Sequence, residues 1–127
     1  IDFATLTGAC VVALGYETSG LMTTNKDLAK DLQKAGEKSD DLVWRLPLWE
    51  EYKKYMKSSI ADVRNISSIR GAGTITAAIF LQHFVKETPW AHIDIAGPAF
   101  LPEAKYDKPK NATGAGVRLM LEYLSSN

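Results

Sequence analysis

The chain has 127 residues, 46% of them hydrophobic and 24% charged, and its 15 basic and 15 acidic side chains cancel. That suits one globular domain or a piece of one, with enough apolar side chains for a core and no overall attraction to nucleic acid or an anionic membrane. The single cysteine, Cys10, excludes an internal disulfide framework and fits a reducing compartment, and no apolar run approaches the ~18 residues of a membrane span.

Ile1-Asp2-Phe3 lacks the basic stretch that begins a signal peptide, and the chain opens inside a strand-like run without an initiator Met. We therefore expect part of a longer protein. Ile1 to Leu6 alternates as a strand, Thr7-Gly8 ends it, and Ala9 to Leu14 reads as a brief buried helix closed by Gly15. With Thr18 to Thr23 as a second strand, this order suggests a parallel βαβ crossover. Thr24 followed by Asp27 reads as an N-cap, with Leu28, Leu32 and Ala35 on one helical stripe and Gly36 as its stop.

Val43 to Leu46 is extended, and Pro47 is placed to start a helix whose stripe Leu48, Tyr52, Tyr55 and Met56 reads as core packing. Ser58 to Gly73 has no sustained period, and a loop of that length is uncommon unless it is functional or packs on a partner. Thr74 to Val85 is apolar nearly all round, which predicts a helix buried on most sides. Trp90 to Ala96 follows as a strand with Ala91, Ile93 and Ile95 on one face and Trp90, His92 and Asp94 on the other. Phe100 to Thr113 reads as a polar loop. Val117, Met120, Leu121 and Leu124 then give a final amphipathic helix. Strands alternating with helices make the chain α/β, a mostly parallel sheet with helices on both faces.

Candidate chemistry is sparse. His92 and Asp94 lie two apart on one strand face and His83 is on the preceding helix, but their spacing is not that of a metal site. A strand-end His and Asp satisfied by neighbouring backbone is the favoured reading. No serine lies in a nucleophile elbow. Arg70-Gly71-Ala72-Gly73-Thr74 precedes a helix and could cradle an anion, yet it matches no phosphate motif; a glycine hinge for close packing is the better reading. Thr5-Leu6-Thr7-Gly8 exposes backbone groups at a strand end, where it either binds an extended ligand or merely turns the chain.

Five segments carry a resemblance: Thr5 to Ala9, Ala61 to Asn65, Arg70 to Ala78, Trp90 to Gly97 and Ala112 to Arg118. In that order they resemble the C-terminal part of the catalytic domain of the leucyl (cytosol) aminopeptidases, peptidase family M17, over essentially residues 1–127. The resemblance implies a phosphorylase/hydrolase-like α/β fold and an exopeptidase that removes N-terminal residues, often Leu. Two divalent metal ions, zinc or manganese, would hold the α-amine and polarise the scissile carbonyl, with a bicarbonate as general base. In the family the metal ligands, catalytic lysine and bicarbonate-holding arginine lie upstream, around an NTDAEGR motif. This sequence starts past that motif. The resemblance therefore implies no catalytic or metal-ligating residue in this chain, an N-terminal domain and metal-ligand segment outside it, and a fragment that is inactive alone. Because its first strand should pair with sheet partners it lacks, the fragment is also expected to be marginally stable.

What the resemblance carries over is a substrate-binding wall. Thr5, Leu6 and Gly8 match the loop that bonds the substrate backbone and lines the pocket for its first side chain. Ala96 matches a small residue on that pocket, Ala99 stands where a larger side chain often closes its floor, and Ile66 matches an apolar residue near the pocket after the cut. Asp62, Asn65, Arg70 and His92 belong to the signature with structural roles, ordering the long loop. The family also implies peptide substrates, the remainder of the same catalytic domain as partner, a homohexamer and a cytoplasmic location. Some bacterial members bind DNA as architectural proteins; zero net charge gives that alternative no support here.

Overall fold

The computed structural model describes residues 1–105 and 108–126. Its main sheet has four strands, β1 (Asp2–Ala4), β2 (Ser19–Met22), β3 (Val43–Arg45) and β4 (His92–Asp94), in the order β1-β4-β2-β3. β1 and β4 are parallel, as are β2 and β3, while β4 and β2 are antiparallel. The sheet is thus mostly parallel, as expected. The expected parallel crossover at its start is not there: β1 and β2 run in opposite directions with β4 between them. The reason is burial. Every residue of β4 and β2 is buried, whereas β1 is only partly covered, so the late-arriving strand takes the centre and β1 is left at the edge.

Alternation along β2 shows how the helices are layered. Leu21 packs with Leu32 and Ala35 of α2 (Lys26–Ser39) and Leu119 of α4 (Val117–Ser125), alongside Ala91 and Ile93. Its neighbour Gly20 faces the other way, where an added Cβ would meet Cys10 Sγ at 3.0 Å and Thr74 Cγ2 at 3.6 Å. Those two residues belong to α1 (Gly8–Leu14) and α3 (Gly73–Val85). One face therefore carries α2 and α4, the other α1 and α3, since successive strand residues point to opposite sides. Leu21, Leu32, Ile93 and Leu119 are among the largest fully buried side chains, and each contributes roughly 1.5–3 kcal/mol by leaving water.

Several local expectations are corrected. Asn25, not Thr24, caps α2, its side chain accepting from Leu28 N–H at 3.0 Å. Gly36 does not stop that helix, which runs to Ser39 and ends at Asp40 in the left-handed region. Gly36 is instead a close-approach residue, because a Cβ there would lie 3.0 Å from the Asp41 carbonyl oxygen. The segment after Pro47 is a 3₁₀ helix from Glu50 to Met56 rather than an α-helix begun at the proline; Leu48, Tyr52 and Met56 still pack with Ile75 and Ile79. The loop from Phe100 to Thr113 contains a small antiparallel hairpin, β5 (Phe100–Leu101) and β6 (Asn111–Ala112). The short helix α1 buries only Cys10, and α3 leaves His83 and Phe84 exposed near its end.

The last helix departs furthest. Its expected stripe has Val117, Leu121 and Leu124 turned outward, 60%, 64% and 66% exposed, while Leu119, Met120 and Tyr123 pack on the core. Asp41 sets that rotation by accepting from Gly116 N–H at 2.7 Å and Leu119 N–H at 3.3 Å. A carboxylate at a helix N-terminus meets unpaired N–H groups and the positive end of the dipole.

Candidate functional site

Because β1 and β4 are parallel and paired from Asp2↔His92 to Ala4↔Asp94, both chains leave the sheet at the same end. The carboxyl ends of strands are where α/β sheets form ligand crevices. Asp94 stands at that exit, fully buried. Its row neighbours are Ala4 and Gly20, whose small size leaves room for the carboxylate. Oδ1 accepts from Leu6 N–H and from Ala96 N–H, each at 3.1 Å. Oδ2 accepts from the Thr7 hydroxyl at 2.7 Å.

Thr7 is also the N-cap of α1, accepting from Cys10 N–H at 3.1 Å, and its oxygen lies 3.1 Å from that of Thr74. A hydroxyl has one proton. With that proton on Asp94, Thr74 donates to Thr7, so α3 joins the same network. Burial, together with the Asp94 charge, pushes the Cys10 thiol up to about 11. It therefore stays protonated and serves as a weak donor to the Asp94 carbonyl oxygen at 3.6 Å, not as a nucleophile.

Beyond Asp94 the chain makes a tight turn. Ala99 N–H donates to Ile95 O at 3.0 Å, Thr113 N–H to Ala99 O at 3.1 Å, and the Thr113 hydroxyl to Pro98 O at 2.5 Å. A Cβ on Gly97 would lie 2.1 Å from the Gly15 carbonyl oxygen, so this turn closes directly on the end of α1. Thr5, Leu6 and Gly8 are exposed, and Ala96 and Ala99 are partly covered. The structure thus brings the Thr5, Leu6, Gly8 loop and the Ala96, Ala99 turn together. Ile66 stands apart on the connection before α3, 76% exposed. Its segment is anchored to the 3₁₀ helix, Arg64 N–H on Met56 O at 2.8 Å and Ser68 N–H on Tyr55 O at 3.0 Å.

The residues of the anion-cradle reading resolve toward packing. A Cβ on Gly73 would meet Ala9 Cβ at 2.8 Å, so this glycine lets α3 approach α1. His92 does not order the long loop either. Its Nδ1 lies 2.6 Å from Asp2 Oδ1, and Trp90 Nε1–H donates to Asp2 Oδ2 at 2.6 Å. This second cluster ties β1 to β4 at the opposite end of the pair. His92 Nε2 is buried without a hydrogen-bond partner among the described residues.

Among the described residues no group of three or more His, Cys, Asp or Glu is placed to hold a metal ion, so these residues do not fit a metal centre. What they offer is a rigid wall of backbone groups beside small side chains, suited to binding an extended ligand. The sequence pointed to both loops and to backbone partners for Asp94, as found, but it missed Thr7 and Thr74 and gave His92 backbone partners where it has the Asp2 side chain. The signal was there: a Thr three residues past the end of β1, before a Gly, and an Asp on the polar face of a buried strand.

A profile described as the catalytic domain of the cytosol aminopeptidase family matches residues 1–121. A probable cytosol aminopeptidase of a Geobacter species is 55% identical over 124 residues, which is 98% of this chain and 25% of the relative. The corresponding protein of Geobacter sulfurreducens is 53% identical over 126 residues, 99% of this chain and 25% of its own length. Among solved structures, a mutant of tomato leucine aminopeptidase superposes with a TM-score of 0.89 at 44% identity, over 99% of this chain and 24% of that one. The bottromycin maturation enzyme BotP in complex with Mn gives 0.92 at 42%, over 98% and 28%. The chain spans about a quarter of the length of the relatives it matches.

Proposed function

This chain belongs to the cytosol aminopeptidase family, and we propose that in the whole protein it forms the wall that receives the N-terminal residue of a peptide, Leu preferred, in a metal-dependent aminopeptidase. The observation that carries this reading is the shared carboxylate of Asp94, which holds the Leu6 and Ala96 loops together at the strand ends. In the proposal Thr5, Leu6 and Gly8 bond the substrate backbone, Ala96 lines the first pocket and Ala99 forms its floor. A methyl group at that floor leaves room for Leu, Met or Phe. Ile66 meets the residue after the cut.

The divalent ions, zinc or manganese, and the bicarbonate belong in this proposal to the remainder of the protein, and no step runs through them here. Two features support the remainder of the same catalytic domain as a partner. β1 is a sheet edge with an open strand side, and beside it Phe3, Met120 and the outward residues of α4 line an open apolar hollow of about 400 Å³. Unpaired edges and uncovered apolar patches of this kind are normally covered in a native protein. Exposed Trp49 and Ile60 supply apolar surface for the contacts of a homohexamer, and the proposal places the protein in the cytoplasm. Among the described residues no helix is long and apolar enough to cross a membrane.

The test is hydrolysis of Leu-, Phe- and Ala-p-nitroanilide by the full-length protein with zinc or manganese. Leu and Phe are expected to outrun Ala, with activity lost on chelation and absent from residues 1–127 alone. A marked preference for Ala overturns the pocket, and the absence of metal-dependent hydrolysis overturns the enzyme.

A further inference from the structure

We propose that Asp94 is the positioning residue for substrate selectivity: its carboxylate sets the separation between the two halves of the first pocket without touching substrate. This rests on the reading of the Leu6 and Ala96 loops as the substrate wall. The two loops are distant in sequence and leave different strands, yet both are hydrogen-bonded to the same atom, Asp94 Oδ1, at 3.1 Å. Oδ2 is fixed in turn by Thr7, and Thr7 by Cys10 N–H and Thr74, so the carboxylate cannot swing to follow one loop and abandon the other. Two N–H groups converging on one oxygen make the loops a single rigid unit, and a pocket wall displaced by about 1 Å costs on the order of 10²-fold in rate.

Removing the carboxylate leaves both N–H groups and the Thr7 hydroxyl without their acceptor, in a site walled by neighbouring elements. The loops then separate, and what they lose first is discrimination, because a looser pocket no longer rewards a large side chain over a methyl. Asparagine is the informative conservative change. Its Oδ1 accepts both N–H groups as before, and its amide donates to Thr7, which turns its own proton to Thr74. Both loop N–H groups thus keep their acceptor, and the cost is confined to the second amide proton and the Thr74 proton, which are left without one.

The experiment uses the full-length protein as wild type, Asp94→Ala and Asp94→Asn, with two readouts. One is the ratio of kcat/KM for Leu- over Ala-p-nitroanilide; the other is hydrogen exchange by mass spectrometry over residues 5–8 and 95–99. For Asp94→Ala the ratio is expected to fall about tenfold or more, within the range for a displaced wall, and exchange to rise in both segments together while α2 keeps its protection. Asp94→Asn is expected to keep most of the ratio and the protection of both segments. Unequal loosening, with one segment opening alone, overturns the proposal, as does an Asp94→Ala ratio equal to wild type. An Asp94→Asn protein as indiscriminate as Asp94→Ala also overturns it. Should Asp94→Ala fail to fold, the Asn variant alone decides. A wild-type protein that hydrolyses no p-nitroanilide sinks the aminopeptidase reading instead, and the joint exchange behaviour then decides for Asp94.

Discussion

The β1–β4 pair is fastened by a carboxylate at each end, and the two fastenings differ in what donates to them. At the carboxyl end, Asp94 is fully buried and accepts from two peptide N–H groups and a hydroxyl. At the amino end, Asp2 has a side chain 41% exposed and meets the rings of His92 and Trp90. The first set is backbone and hydroxyl, the second two aromatic side-chain rings. The first fastening joins the two loops that leave the strand ends; the second holds strand to strand through side chains alone.

The comparison would break most sharply at Gly97, whose missing Cβ would overlap the Gly15 carbonyl oxygen at 2.1 Å. Backbone cannot step aside as a side chain can. Gly97→Ala is expected to destabilise the full-length protein by about 3 kcal/mol or more, the upper part of the overpacking range, by chemical denaturation. A loss below 1 kcal/mol would mean that the turn is not tied to α1.

Thr7→Val comes next, removing the hydroxyl that serves Asp94, Cys10 and Thr74 at once. About 2 kcal/mol is expected, the cost of buried partners left unpaired, and Thr7→Ser should recover most of it. Equal losses for Val and Ser would assign the effect to the methyl group.

At the amino end the effect is smaller and depends on pH. Burial pushes the Asp2 carboxyl up, but hydrogen bonds from His92 and Trp90 and the His92 charge outweigh it, so Asp2 lies below its ordinary 3.8. A lowered folded value means that the linked stability is present above the unfolded value and is lost as pH falls through the folded one. Asp2→Asn should therefore lower stability at pH 7, where the linked contribution is fully present, and flatten the acid limb so that variant and wild type converge below about pH 4. An unchanged acid limb would remove Asp2 from the account. Trp90→Phe, which deletes one donor, is expected to cost about 1 kcal/mol.

The smallest effect belongs to the outward face of α4. In residues 1–127 alone, Leu121→Ser should shift stability by no more than ~0.5 kcal/mol, as at other exposed positions. In the full-length protein it should cost more if the apolar hollow is covered there. Equal effects in both would leave the hollow open in the whole molecule.

Much of this was readable from the chain because it depends on local pattern. The alternation of Ala91, Ile93 and Ile95 against His92 and Asp94 marked the strand and its apolar face, and that face does join the core. The loops at Thr5 to Gly8 and Ala96 to Ala99 were legible as motifs. What failed depended on distant partners. The order β1-β4-β2 could not follow from the opening segment, since β4 arrives long after it. The rotation of α4 is set by Asp41, a residue outside the helix, so that of the periodic stripe Val117, Met120, Leu121 and Leu124 only Met120 packs on the core. Gly36 looked like a stop because a glycine at a helix end and a glycine under a crossing chain are the same letter. The joint hold of Asp94 on both loops likewise requires two strand ends to be seen side by side.

The most direct test of the substrate wall is to let a ligand mark it. A non-hydrolysable dipeptide analogue whose first residue is photo-leucine, bound to the full-length metal-loaded protein and irradiated, reports its neighbours by mass spectrometry. The account predicts labels in Thr5 to Gly8 and in Ala96 to Ala99 together. Labels confined to α2, α4 or the 3₁₀ helix, with both loops unmarked, would contradict it.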